Sequence, residues 1–154
     1  MSKALTMTLD SREFTEALKQ IGLATRGGAL REALKDGGSV LQDYIQENIV
    51  GQDLVDTGNL LNNWSVESDG DEAAIVGTDT PYAAIHEFGG LIAPKDPSGW
   101  LRFQTGDGAW HSVKAVHMPA RPYARPAIDH HKDDVARAVG DSLRKSIERN
   151  VKKK

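Results

Sequence analysis

VGTDTPYAAIHEFGG, residues 76–90, is the stretch on which the reading of this chain turns. It opens as the end of a strand through Ala73, Ala74, Ile75 and Val76, and Gly77 is read as the break. Residues 78–81 make a turn, residues 82–88 a short helical segment, and Gly89 and Gly90 stop it. A strand that hands its apolar face to a helix within four or five residues makes a buried, fixed corner. That corner carries Tyr82, His86, Glu87 and Phe88, with Tyr82 and Phe88 expected as its anchors.

Working back from the corner, Trp64 and Val66 pair with Ala74 and Val76 as an antiparallel hairpin, turning through residues 68–71. Residues 56–63, DTGNLLNN, read as a capped turn of helix. Before them Leu30, Leu34, Leu41, Ile45 and Ile49 form the apolar stripe of a long helix. Gly37 and Gly38 interrupt that stripe and predict either a kink or a close crossing, since each glycine costs ~1 kcal/mol against alanine. An earlier helix is expected with Asp10 or Ser11 as cap, Glu13 completing a capping box, and Phe14, Leu18 and Ile21 on its apolar face.

Forward of the corner, residues 91–99 form a loop with Pro94 and Pro97. Trp100, Leu101 and Phe103 face Trp110, Val113 and Val116 across Gly106-Asp107-Gly108 as a second hairpin, read as a protruding arm. Its aromatics are either core filler or a subunit contact. MPARPYARPAI, residues 118–128, repeats Arg-Pro four residues apart, and each proline pushes its arginine out of the α region. Pro126 suits the first position of a final helix, Asp129 its first turn, and Val135, Val139, Leu143 and Ile147 its apolar seam. The expected fold is α+β: an antiparallel sheet of about four strands, packed by N-terminal helices and a long C-terminal helix, with a projecting hairpin or loop. Residues 1–151 form a single domain with 91–117 as a long loop and hairpin insertion, and 152–154 form a basic tail.

The 154 residues suffice to bury ~68–70% of the surface of the unfolded chain. No run of eighteen apolar residues crosses a membrane, and the N-terminus lacks the pattern of a signal peptide, so cytoplasmic synthesis is expected. With no cysteine there is no disulfide, thiolate metal site or cysteine nucleophile. The net charge of −3 hides a polarity. Residues 51–94 carry eight acids and no Lys or Arg, whereas residues 144–154 carry six bases and one acid. Such a division fits a solvated face and tail, head-to-tail packing of copies, or a basic end on nucleic acid.

Leu54-Val55-Asp56-Thr57-Gly58 is the motif closest to catalysis, because two apolar residues followed by Asp-Thr-Gly present the carboxylate of aspartic proteases and a small one works as a dimer. The alternative is that Asp56 or Thr57 caps the short helix near Asn59. What precedes the motif is helical, where the protease loop leaves a strand, so capping is preferred. His86-Glu87 starts like a zinc-protease motif but has Gly90 where the second histidine belongs. His130 and His131 diverge by about 100° on a helix. His111 and His117 share a face of the second hairpin if both lie in strands, without a third ligand. No catalytic residue, metal or cofactor is therefore assigned. Arg144, Lys145, Arg149, Lys152, Lys153 and Lys154 offer a nonspecific phosphate contact, the basis of a DNA-binding accessory alternative.

Three motifs in fixed order, VDTGNL (residues 55–60), VGTDTPYAAIHEFGG (76–90) and MPARPYARPAI (118–128), resemble the virion-morphogenesis proteins of tailed bacteriophages and prophages. These are tail-completion or head–tail joining components. The resemblance spans roughly residues 30–139, although residues 91–116 exceed a minimal connection between the last two motifs. It implies a structural protein rather than an enzyme, forming a homohexameric ring at the neck of the virion after assembly in the host cytoplasm. Its implied partners are tail-terminator and head-closure or connector proteins and, nonspecifically, passing DNA, with no membrane. The implied structural and interaction residues are Asp56, Thr57, Gly58, Tyr82, His86, Glu87, Phe88, Gly89, Arg121, Pro122, Arg125 and Pro126. Arg121 and Arg125 are expected to pair with carboxylates within or between subunits, the intrachain candidates being the Asp56 region and above all Glu87.

Overall fold

The apolar stripe after residue 27 makes one continuous helix, α1 (Gly27–Gly51). Leu30, Leu34, Leu41, Ile45 and Ile49 are all buried on it, as their spacing requires. Burying each such side chain contributes ~1.5–3 kcal/mol. The computed structural model describes residues 5–10, 12 and 27–151. Asp10, one of the two caps expected for an earlier helix, is the last residue of the first strand; the rest of that helix, residue 12 apart, lies outside the described residues, as do Lys152, Lys153 and Lys154.

In chain order the elements are β1 (Leu5–Asp10), α1, α2 (Asn59–Asn62), β2 (Trp64–Asp69), β3 (Ala73–Thr78), α3 (Ala83–Phe88), β4 (Gly90–Ile92), β5 (Leu101–Gln104), β6 (Trp110–Val113), β7 (Val116–Met118) and α4 (Ala124–Val151). The class is α+β, as the sequence predicts. The strands do not form one sheet, however. β1, β3 and β2 form an antiparallel sheet in that order, β4 pairs with β7, and β5 pairs with β6. The first hairpin stands where expected, with Val66 opposite Val76, and the second pairs Phe103 with His111 but is shorter than expected: Trp100 precedes β5, and Val116 lies in β7 opposite Ile92 of β4, inside the stretch read as a loop.

β1 was not anticipated. It pairs with β3 from Leu5 opposite Thr78 to Asp10 opposite Ala73, which makes β3 the central strand. Gly77 consequently does not break β3: it lies opposite both Thr6 and Ser65. With both edges of β3 paired, the strand runs to Thr78 before it turns.

α1 lies across β2 and β3 and along α4. Leu41, Ile45 and Ile49 meet Trp64, Val76, Tyr123, Ala127 and Val135 in the main core. Leu30, Ala33 and Leu34 meet Ala74, Val139 and Leu143 in a second cluster. Gly38 shows why the double glycine stands in this helix. A Cβ there would lie 2.6 Å from a Val66 methyl and 3.3 Å from a Val76 methyl, so the helix does not break but approaches the sheet closely. Of the four seam residues expected in α4, Val135, Val139 and Leu143 are buried and Ile147 is 36% exposed.

The start of α4 departs from the sequence reading. Arg125 is helical and not held extended by Pro126, which is the third helical residue rather than the first. Asp129 falls in the second turn, and the first turn has no acid of its own. Further along, the backbone of His131 is non-helical (φ −121°, ψ 15°) where its ring stacks on Tyr44 at 3.6 Å. There Asp134 accepts the Tyr44 hydroxyl at 3.0 Å and lies 3.5 Å from His131 Nδ1, tying α1 to α4 beside the bend.

Candidate functional site

The three sequence motifs meet at the end of α4. A helix N-terminus leaves four backbone N–H groups without intrahelical partners. Here the Glu87 carboxylate, 3% exposed, supplies acceptors for three of them. Oε2 accepts the amides of Tyr123 at 2.7 Å and Ala124 at 2.8 Å, and Oε1 accepts that of Arg125 at 2.9 Å. The next residue is Pro126, which has no N–H to satisfy. Glu87 and Pro126 thus complete the cap between them, and the negative charge faces the positive end of the helix dipole. The expected side-chain pairing of Glu87 with Arg121 or Arg125 is replaced by these amide bonds. Both carboxylate oxygens are already occupied by these backbone N–H groups.

Each arginine has another role. The Arg121 guanidinium donates to the carbonyl of Gln52, and its backbone N–H donates to the carbonyl of His86 at 2.8 Å. The Arg125 guanidinium lies 5.7 Å from the centre of the Phe88 ring, a cation–π contact at the surface. Phe88 is 55% exposed and Tyr82 is also exposed, so neither anchors the corner. The anchor is Tyr123, whose ring is fully buried edge-on to Trp64. Its hydroxyl donates to the carbonyl of Ala83 at 2.8 Å. Burial, and secondarily the Glu87 charge, drives the ionisation of that hydroxyl far above its ordinary range.

Two further links fix the turn before α4. Asn48 Nδ2 donates to the Tyr123 carbonyl at 2.9 Å, and Gln52 Nε2 donates to that of Pro122 at 2.6 Å. At the other side of the corner Thr78 and Thr80 are buried and bonded to each other through their hydroxyls at 2.9 Å. Gly89 closes α3 with φ +68°, and a Cβ there would stand 2.6 Å from the Ala120 nitrogen and 2.9 Å from the Met118 carbonyl oxygen. Only glycine permits both that backbone angle and the approach of the chain leaving β7.

A cleft of about 280 Å³ opens beside this corner, lined among others by Asp53, Asp56, Gly58, Tyr82, His86 and Arg121. Asp56 and Thr57 are exposed on the loop between α1 and α2. Neither caps α2: Gly58 is the N-cap, at φ 80°, and no side chain bonds there. His86 has a buried Nδ1 without a partner, and burial, then the Arg121 charge, holds the ring below its ordinary protonation range. Among the described residues no three His, Cys, Asp or Glu side chains cluster to hold a metal. His111 and His117 lie in different strand pairs rather than on one hairpin face.

Around the corner from this cleft is a second, of about 300 Å³, between Phe88, Ala120, Pro122, Arg125, Pro126 and His130. Farther along α4, Arg144 pairs with Asp141 at 3.2 Å, and the Arg149 guanidinium donates to the Lys145 carbonyl at 3.3 Å.

The arrangement therefore uses the Glu87 carboxylate and the His86 backbone carbonyl, not the His86 ring, to lock helix to corner. Of its participants, the sequence reading missed Tyr123, Asn48, Gln52, Thr78 and Thr80. Tyr123, an aromatic between two Arg-Pro pairs, carried a signal. The others are polar residues whose use depends on distant carbonyls or on each other.

The chain matches the model of the phage virion morphogenesis family over residues 46–124. That span contains the first two motifs and the third as far as the start of α4. It is also similar to the Mu-like prophage FluMu G protein 2 of Haemophilus influenzae, with 30% identity over 74% of this chain and 78% of that protein. No solved structure matches the chain significantly.

Proposed function

The chain belongs to the phage virion morphogenesis family, and from that premise we propose that it is the tail-completion component joining head to tail as a homohexameric ring. Its place is the head–tail junction of the virion, reached after assembly in the host cytoplasm. Its neighbours there are the tail terminator and the head-closure or connector proteins, and the DNA passing through the channel touches it without sequence preference. The role is structural rather than enzymatic. What supports this reading is the form of the hairpin β5–β6. Trp110 on β6 is 73% exposed and Trp100, just before β5, 58%, and the strand pair is hydrogen-bonded to no other described sheet. A single two-stranded hairpin is marginal alone, and large exposed aromatics mark protein contacts. A closed ring offers such a surface, because each copy meets a different patch on the next.

The test is a particle assay. Removing the gene from a producing phage or prophage is expected to leave filled heads and separate tails, and restoring it to join them. Native mass measurement of the purified protein, with negative-stain imaging, is expected to show six copies in a ring. A strict monomer at high concentration, absent also from finished virions, overturns the reading.

A further inference from the structure

We propose that Trp110 of one copy seats in the cleft between Phe88 and the Pro122–Pro126 turn of a second copy, making the head-to-tail contact of the assembly. This rests on the ring-forming reading and names the surfaces that would close the ring. Trp110 is the most exposed large hydrophobic side chain among the described residues, and Phe88 is 55% exposed on the cleft's rim. The cleft, at about 300 Å³, admits one indole, and Phe88, Ala120, Pro122 and Pro126 make its apolar walls beside Glu87, Arg125, Asp129 and His130. Arg125, already over the Phe88 ring, provides a cation for an incoming aromatic face. Trp and Arg in apolar pockets are the residues that dominate interface energies.

Charge points to a second copy as the occupant. The arm, residues 91–117, carries Lys95, Arg102 and Lys114 against Asp96 and Asp107, whereas the cleft carries the carboxylates of Glu87 and Asp129 against the one base Arg125. The arm is also braced to present its ring. Lys114 Nζ donates to the carbonyls of Ser98 and Gly99, each at 2.9 Å, and stands 4.4 Å from the centre of the Trp100 ring. At the tip, the Thr105 N–H donates to the Ala109 carbonyl at 3.0 Å, closing the turn next to Trp110.

The chain contains no cysteine, so engineered thiols report the contact without background. Ala109 lies beside Trp110, Ala120 lies in the cleft, and both are exposed. Full-length Ala109→Cys and Ala120→Cys proteins are to be oxidised separately and as a mixture, with disulfides located by peptide mass spectrometry. The expected result is a 109–120 bridge in the mixture and none in either protein alone. In parallel, Trp110→Ala is expected to weaken self-association about 30-fold or more while the melting temperature of the monomer stays unchanged. Bridging of Ala109→Cys with itself would mean hairpin-to-hairpin packing and overturns the proposal. So does an assembly that persists in Trp110→Ala with no 109–120 bridge, which leaves the ring-forming reading standing and assigns the hairpin to another virion protein. If the unaltered protein is monomeric both in solution and in particles, the ring-forming reading itself fails and this contact fails with it.

Discussion

Glu87 does by itself what a local capping box does elsewhere, from a helix thirty-six residues earlier in the chain than Tyr123, the first amide it holds. In Glu87→Gln one carboxylate oxygen becomes an NH2 group, which faces backbone N–H donors. At least one cap bond is lost and the charge is removed from the helix end, so a loss of about 2–4 kcal/mol is expected. Thermal or urea unfolding measures it; a variant as stable as the parent would remove Glu87 from the cap. His86 gives a pH signature of defined sign. Burial lowers its folded-state protonation below the ordinary value of 6.5. In the window just below 6.5 the unfolded chain binds a proton that the folded chain does not, so stability falls as the pH drops through it. His86→Gln is expected to flatten that part of the melting-temperature profile relative to the parent, the other histidines contributing equally to both.

At the scale of elements, two glycines distinguish side-chain crowding from backbone crowding. Gly38→Ala gains ~1 kcal/mol of helix propensity but drives a Cβ into the stiff Val66 side chain. Overpacking costs ~1–3 kcal/mol, so a modest net loss is expected, relieved in part by combining it with Val66→Ala. Gly89→Ala meets backbone atoms that cannot rotate away, and it also places an L-residue at φ +68°. A larger loss, about 2–5 kcal/mol, is expected there. Denaturant titration of the three variants settles the order; Gly38→Ala as damaging as Gly89→Ala would contradict it. Both helices that matter here were legible in the sequence as periodic apolar stripes. β1 was legible too, since LTMTLD alternates apolar and polar residues, but its position before a presumed helix drew no strand assignment.

For the whole molecule, the acidic middle of the chain and the bases of the arm predict how copies associate. Raising the salt concentration from about 0.05 to 0.5 M shortens the screening length from ~14 to ~4 Å and is expected to weaken self-association without abolishing it. The apolar part of the contact remains. Sedimentation across that range checks this, and association that strengthens steadily with salt from the outset would argue that charge opposes the contact. Separation of the strands into one three-stranded sheet and two pairs also belongs to this scale. It lets the arm leave the body at β4 and β7, where residues 90 and 118 pair.

By itself the sequence determined the α+β class, the two hairpins, the buried stripes of α1 and α4, and the family, because periodicity, turn residues and ordered motifs are local properties. It also located the corner at residues 76–90 and named Glu87 as a structural residue. What only the tertiary structure decided is which atoms meet. A carboxylate in a turn–helix corner has no sequence mark that distinguishes an arginine partner from the open end of a remote helix. The choice depends on where α4 begins, and α4 begins at Ala124 because Glu87 and Pro126 together account for the amides that its first turn leaves unpaired.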